Sequence, residues 1–274
     1  MTSREYQRLQ QVVEIGDRFV SYVDQGQGSP VLLLHGIPTW GYLFEGLLRD
    51  LQGTHRVLIP DLLGFGYSDK RDCFERSIGH QAAMIIEFLE HLGVSRAHVV
   101  GHDIGGGVAL RLAAMFPGQV DRLCVMNCVS YDSWPIEAML QLGHPEVRRK
   151  LSAAKIMAML RQALKAGFVS APEAHTLDAL LAPYSTEVGK LSLIRDAAAL
   201  DTNLTTEISH LLPRIPAPTL ILWGEGDSFQ PIRFAERLAN DIPHAEFIPI
   251  TDASHFVMLD QPEAVSGHLR RFLS

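Results

Sequence analysis

Short apolar runs recur along this chain, and each ends in a turn. Val31-Leu32-Leu33-Leu34 runs into His35-Gly36, Val57-Leu58-Ile59 into Pro60-Asp61, Ala97-His98-Val99-Val100 into Gly101, Leu123-Cys124-Val125-Met126 into Asn127, and Leu220-Ile221-Leu222-Trp223 into Gly224. A strand that reads as continuous rather than alternating hydrophobicity is buried on both faces, as in a parallel sheet covered by helices on each side. Helical periodicity fills the gaps, over Tyr42 to Leu51, over Ile78 to Leu92 (where Ala82, Ile85, Ile86 and Leu89 share one stripe), and over Gly106 to Phe116. Strand and helix alternating in this way predict an α/β fold with a mostly parallel, doubly wound sheet. Before it, Val12 to Asp24 alternates and reads as an antiparallel hairpin turning near Gly16-Asp17.

From Tyr131 to Leu212 the strand signals vanish. Helical patterns run from Glu146 to Ala166, Pro172 to Leu181 and Thr186 to Leu200, until Pro213, Pro216 and Pro218 punctuate a return to strand. A helix over Ile232 to Asn240, a strand over Glu246 to Ile250 and a helix over Pro262 to Phe272 complete the pattern. The expected organisation is a core of residues 1–130 and 213–274, with 131–212 inserted as a helical cap over the strand ends.

Among 274 residues, 24 are basic and 31 acidic, a net charge of −7, and the longest basic cluster is Arg148-Arg149-Lys150. That balance argues against a nucleic-acid partner. Cys73, Cys124 and Cys128 are too few for a disulfide scaffold and point to a reducing compartment, Cys124 and Cys128 reading as small buried hydrophobes. Met1 to Gln11 is polar, unlike a secretion signal, and the apolar runs are strand length, too short to span a bilayer. The expectation is a soluble, cytoplasmic protein with no membrane partner; its oligomeric state is not legible. No metal-ligand spacing appears, and the glycine run after Asp103 lacks the Gly-x-Gly spacing of a dinucleotide site, so no metal and no cofactor are expected.

Chemistry concentrates at the turns. Gly101-His102-Asp103-Ile104-Gly105 lies between an apolar strand and a small-residue helix, a sharp strand–turn–helix that presents an aspartate where a nucleophile elbow usually carries serine. A carboxylate there suits attack on saturated carbon, leaving an alkyl ester on the protein. Backbone N–H groups at the elbow are expected to favour its charged form. Asp227 follows the Thr219–Trp223 strand and His255 follows the last one, giving the order nucleophile, acid, histidine. Glu225 and Asp132 are alternative acids. His35 and His102 are expected to orient backbone, and Asp61 and Asp252 to serve as turn residues.

Over essentially its full length the chain resembles the α/β-hydrolase fold family. Gly101-His102-Asp103 looks like the elbow of its aspartate-nucleophile branch, the haloalkane dehalogenases, haloacetate dehalogenases and epoxide hydrolases. His35-Gly36-Ile37-Pro38-Thr39-Trp40 and the segment from Pro60 to Lys70 are similar to haloalkane dehalogenase segments. The resemblance implies that Asp103 forms a covalent ester, that His255 held by Asp227 activates the water that hydrolyses it, and that the N–H groups of Ile37 and Ile104 form an oxyanion hole. Some dehalogenases carry the acid after the strand that here ends in Met126-Asn127; Asn127 at that place favours Asp227.

The leaving group separates two reactions on a small apolar organic substrate and water. Haloalkane dehalogenases resembling this chain cradle the halide with a tryptophan after the nucleophile, plus an asparagine after His-Gly or a cap tryptophan. Ile104 and Ile37 stand at the first two of these places and carry no side-chain donor, and Ile104 also departs from the arginine of haloacetate dehalogenases. Trp134 or Trp40 would rebuild part of a cradle. Epoxide opening requires phenol donors, and Tyr131 and Tyr184 are the tyrosines of the inserted block. On these grounds the expectation leans to opening an epoxide to a diol, with dehalogenation as the alternative. A ligand receptor, or a lyase or cyclase on the same fold, is a further one.

Overall fold

A computed structural model describes residues 1–274. The strands are β1 (Gln11–Ile15), β2 (Arg18–Gln25), β3 (Pro30–Leu34), β4 (Arg56–Pro60), β5 (Ala97–His102), β6 (Val120–Met126), β7 (Thr219–Gly224) and β8 (Glu246–Ile250). The helices are α1 (Ser3–Leu9), α2 (Glu45–Leu51), α3 (Ile78–His91), α4 (Ile104–Met115), α5 (Glu137–Gly143), α6 (Pro145–Lys150), α7 (Ala153–Leu164), α8 (Ala174–Leu181), α9 (Glu187–Ala198), α10 (Asn203–Thr206), α11 (Arg233–Asp241), α12 (Val257–Asp260) and α13 (Pro262–Leu273).

The strands form one 8-stranded sheet in the order β1-β2-β4-β3-β5-β6-β7-β8. β1 and β2 are the hairpin read from the sequence, β2 joins β4 antiparallel, and every later pairing is parallel. Strands β3, β5 and β7 are buried along nearly their whole length, which is why their sequences run apolar without alternation. β3 lies between β4 and β5, so the chain winds outward from it in both directions. That reversal opens a crevice beyond the carboxyl ends of β3 and β5, where open α/β sheets bind ligands. The register pairs Leu34 with Gly101, so the turns after the two strands rise side by side into this crevice.

Only helices lie between β6 and β7. The long helix expected over Glu146 to Ala166 is two, α6 and α7. Leu151 is extended, and Ser152 begins a new helix by accepting the Lys155 N–H at its side-chain oxygen, so an N-cap outcompetes the continuing apolar stripe. Helices α1 and α5 were not foreseen; each is a 7-residue segment, too short for periodicity to reveal. Arg111 of α4 donates to Leu204 O and to Glu207, each at 2.6 Å, and fastens α10 to the core.

A further fastening ties α9 to the segment before α3. Arg76, just before α3, donates through Nη1 to Asp196 at 2.6 Å and to Ser192 Oγ at 2.7 Å, both on α9, and through Nη2 to the carbonyls of Lys70 and Arg71. The side chains of Arg76 and Asp196 are 5% and 0% exposed. Breaking such a buried pair from one side strands the other charge. Arg76→Leu is expected to lower unfolding stability by about 3–5 kcal/mol in urea titration. Adding Asp196→Leu to it should recover much of that loss.

Candidate active site

Asp103 is the single residue between β5 and α4, and it adopts φ 52°, ψ −124°. A non-glycine residue held there costs about 1–3 kcal/mol, so its surroundings must over-determine it. They do so by close approach. A Cβ on Gly105 would lie 2.2 Å from Leu34 O, and one on Gly106 would lie 2.1 Å from Cys128 Cβ. The small residues after the aspartate let the helix start directly against β3 and the end of β6. The Asp103 carbonyl then accepts N–H groups from Gly106, Gly107 and Val129.

The geometry brings Asp103, His255 and Asp227 together. Asp103 Oδ1 accepts the Ile37 N–H at 2.8 Å, and Oδ2 lies 3.8 Å from His255 Nε2. His255 Nδ1 donates to Asp227 Oδ2 at 2.9 Å. Asp227 Oδ1 accepts the N–H groups of Phe229 and Gln230 at 2.7 and 3.0 Å. The alternative acids Glu225 and Asp132 are exposed and make no such bond. Asn127 takes a part that the sequence did not reveal. Its Nδ2 donates to Asp227 Oδ2 at 2.7 Å, while its Oδ1 accepts the Gly224 N–H. An amide at the end of β6 thus holds the acid that follows β7. His35 bridges turns, accepting the Leu62 N–H at Nε2 and donating from Nδ1 to Gly36 O. The His102 ring lies 4.6 Å from that of His255, with its Nε2 2.9 Å from the His255 carbonyl. Burial pushes the His102 pKa far down, so its neutral ring donates that bond.

Burial dominates the electrostatics. It pushes the Asp103 carboxyl above the usual range, and His255, with the N–H groups of Ile104 and Ile37, offsets only part of that push. The elbow amides favour the charged form, as expected from the sequence, but desolvation outweighs them. At Asp227 burial is outweighed by the charge and hydrogen bond of His255, helped by Gln230 and Asn127, and the net shift is down. At His255 burial lowers the pKa, yet the charge and hydrogen bond of Asp227 and the charge of Asp103 raise it above the ordinary value.

A partly open cleft lies above these groups. Its walls are apolar, built by Ile37, Ile104, Val129, Trp134, Leu160, Leu164, Phe229 and Phe256 among others, and Gln230 is their one polar member besides Asp103 and His255. The four leaving-group candidates are spent elsewhere. Tyr184 is fully buried outside the cleft and donates to Thr39 O at 2.7 Å. Tyr131 donates to Asp241 at 2.7 Å beneath the Arg237 guanidinium. Trp40 Nε1 donates to Ala179 O at 2.9 Å. Trp134 lines the cleft, but its Nε1 donates to Thr205 Oγ1 at 2.7 Å. In the sequence each looked available because its partner comes from a segment far along the chain. Gln230, which sequence reasoning passed over, stands three residues beyond Asp227 in Asp227-Ser228-Phe229-Gln230.

The Asp227–His255 coupling is directly testable. Asp227→Asn removes the charge that lifts the imidazole and leaves the burial that depresses it. The His255 midpoint in an NMR pH titration should fall below the ordinary histidine value of 6.5.

A family model described as alpha/beta hydrolase fold matches residues 29–262. Among curated relatives, a cis-3-alkyl-4-alkyloxetan-2-one decarboxylase of Shewanella oneidensis is 26% identical, the match covering 92% of this chain and 84% of that protein. Haloalkane dehalogenase 2 of Mycobacterium bovis is 28% identical over 90% and 89% of the two chains. Epoxide hydrolase 4 of Mus musculus is 29% identical over 96% and 78%. In fold, an alpha/beta hydrolase fold protein from Burkholderia ambifaria superposes with a TM-score of 0.87 at 24% identity, covering 95% of this chain and 98% of that one. No helix is long and apolar enough to cross a membrane.

Proposed function

We propose that this chain, an enzyme that belongs to the alpha/beta hydrolase fold family, hydrolyses a small apolar substrate at saturated carbon through an ester formed on Asp103. The observation that carries the proposal is the division of labour between the two carboxylate oxygens. Oδ1 is held by the Ile37 N–H, and Oδ2 lies 3.8 Å from His255 Nε2 on a residue that lines the cleft. Oδ2 is the attacking atom; its lone pair forms the new C–O bond as the leaving group departs with the old bonding pair. Oδ1 becomes the ester carbonyl, already bonded to the amide that stabilises its oxyanion when water adds. The gap to His255 is too long for a direct hydrogen bond and places the imidazole to take a proton from a water attacking the ester carbon.

Esterification also prepares its own reversal. In the free enzyme His255 is lifted partly by the Asp103 charge. The ester is neutral, so the imidazole loses that support while its burial persists, and its pKa falls. The base is freed once there is an ester to hydrolyse.

The leaving group is best read as one that departs as an anion. An epoxide oxygen leaves as an alkoxide and needs an acid, and the hydroxyls of Tyr131 and Tyr184 serve Asp241 and Thr39 instead. Burial raises both phenols further above their ordinary value, making them still poorer acids. This moves the preference from epoxides toward a halide, or the carboxylate released when a strained lactone opens. Relatives named for haloalkanes and for an oxetan-2-one are compatible with that class. A panel of haloalkanes, β-lactones and epoxides, followed by halide, acid and diol release, tests the order. Diol release from epoxides alone would reverse it.

His255→Gln should permit the first step and stall the second, so intact mass should show one substrate-derived group on Asp103 with the best substrate of that panel. In single turnovers of the wild type, ester breakdown should be lost as pH falls through the His255 pKa of the ester form. That midpoint should lie below the His255 midpoint of the free wild-type enzyme in an NMR pH titration. Ester formation should instead fall as pH drops through the raised Asp103 pKa, because only the carboxylate attacks.

A further inference from the structure

We infer that Gln230 is the hydrogen-bond donor for the departing anion, and that its side-chain amide with the adjoining cleft wall forms a site for a halide or small carboxylate. The inference rests on the displacement chemistry proposed above and deepens it. Gln230 lines the same cleft as Asp103 and His255 and is 2% exposed. Its Oε1 is buried without a hydrogen-bond partner. Buried polar groups in folded proteins are almost always paired, so an amide left open in an apolar wall marks the place of a missing partner. An apolar side chain of similar size would fill that wall with nothing left unpaired.

The backbone of Gln230 is fixed while its side chain is free. Its N–H donates to Asp227 Oδ1, and its carbonyl accepts the Trp223 Nε1–H at 2.8 Å. The preceding Phe229 ring packs edge-on against the His255 ring, with centroids 5.2 Å apart. The residue's backbone is thereby held beside the acid, and its side-chain amide is left with an unpartnered oxygen at the cleft wall. Rotation of the terminal bond presents the NH₂ group to the cavity. An amide N–H donates a hydrogen bond without surrendering its proton. It therefore suits a group that leaves with its electron pair and stays an anion, and it does not supply the proton an alkoxide requires. In the displacement, Asp103 Oδ2 forms the bond to carbon, the bonding pair goes to the leaving atom, and Gln230 Nε2–H stabilises the charge that appears there.

The probes are bromide and acetate, titrated separately at slightly acidic pH and followed by tryptophan fluorescence, since Trp134 is in the cleft wall. Wild type should bind at least one of them, and the Gln230 side-chain NH₂ resonances, assigned by their loss in a variant, should shift as it does. Gln230→Met should weaken that binding ~10-fold or more without lowering the melting temperature, because it removes an unpartnered amide and keeps the shape. Gln230→Glu, at a pH high enough to ionise it, offers acceptors only and should abolish it. Should Gln230→Met fold poorly, Gln230→Leu and the wild-type resonance shift carry the test. Unchanged affinity in Gln230→Met, or no binding of either anion by wild type, overturns the assignment. An ester that forms on Asp103 in His255→Gln while wild type binds neither anion would sink the Gln230 site alone. Gln230-dependent anion binding with no ester from any substrate would sink the covalent chemistry and leave the site standing.

Discussion

A single hydrogen bond, from the Ile37 N–H to Asp103 Oδ1 at 2.8 Å, ties together the two turns that the sheet topology brings side by side. One turn leaves β3 and the other leaves β5, and the bond forms because the chain reverses its winding between those strands. Much of the local sequence serves that approach. Gly36 has no side chain, and a Cβ there would lie 2.4 Å from the Asp103 carboxylate. Gly105 and Gly106 let α4 begin against the neighbouring strands, and Asp103 accepts an unfavourable backbone conformation between them. Strain at this one residue is tolerated because parallel strands, a helix start and three backbone amides hold it from different sides.

The same burial that shapes the site sets its charges. Desolvation pushes Asp103 up, and Asp227, with a further push from the Asp103 charge, lifts the imidazole against its own burial. Asp227 stays charged through four donors: the two amides that follow it, Asn127 and His255 itself. A low-dielectric cleft strengthens each of these interactions. In the proposed cycle it also makes the imidazole pKa depend on whether the nucleophile is free or esterified, so the proton acceptor and the ester appear together.

Elements governed by local pattern were legible in the sequence. The apolar runs gave β3 to β7, the alternation at Val12 to Asp24 gave the hairpin, and the elbow gave the place of Asp103. Groups governed by distant partners were not. Tyr184 bonds to Thr39, Trp134 to Thr205 and Trp40 to Ala179, and no spacing rule foretells such pairings. Asn127 was noted only as a residue that leaves the acid's part to Asp227, and its own hydrogen bond to that acid, like the place of Gln230, was not legible, since each matters through Asp227 or the cleft rather than through its own neighbours in sequence. The break between α6 and α7 falls between these cases: a serine N-cap was present to be read, but the apolar stripe runs across it.

Formation of an alkyl ester on Asp103 Oδ2 is the step on which the proposed chemistry turns, and isotope transfer tests it most directly. With a good substrate in ¹⁸O-labelled water, the first turnover should deliver an unlabelled alcohol oxygen to the product and leave the label in the Asp103 carboxylate, read by mass spectrometry of the peptide that contains it. Label in the first-turnover product with none in Asp103 would mean that water attacks the substrate directly, and the covalent route would be contradicted.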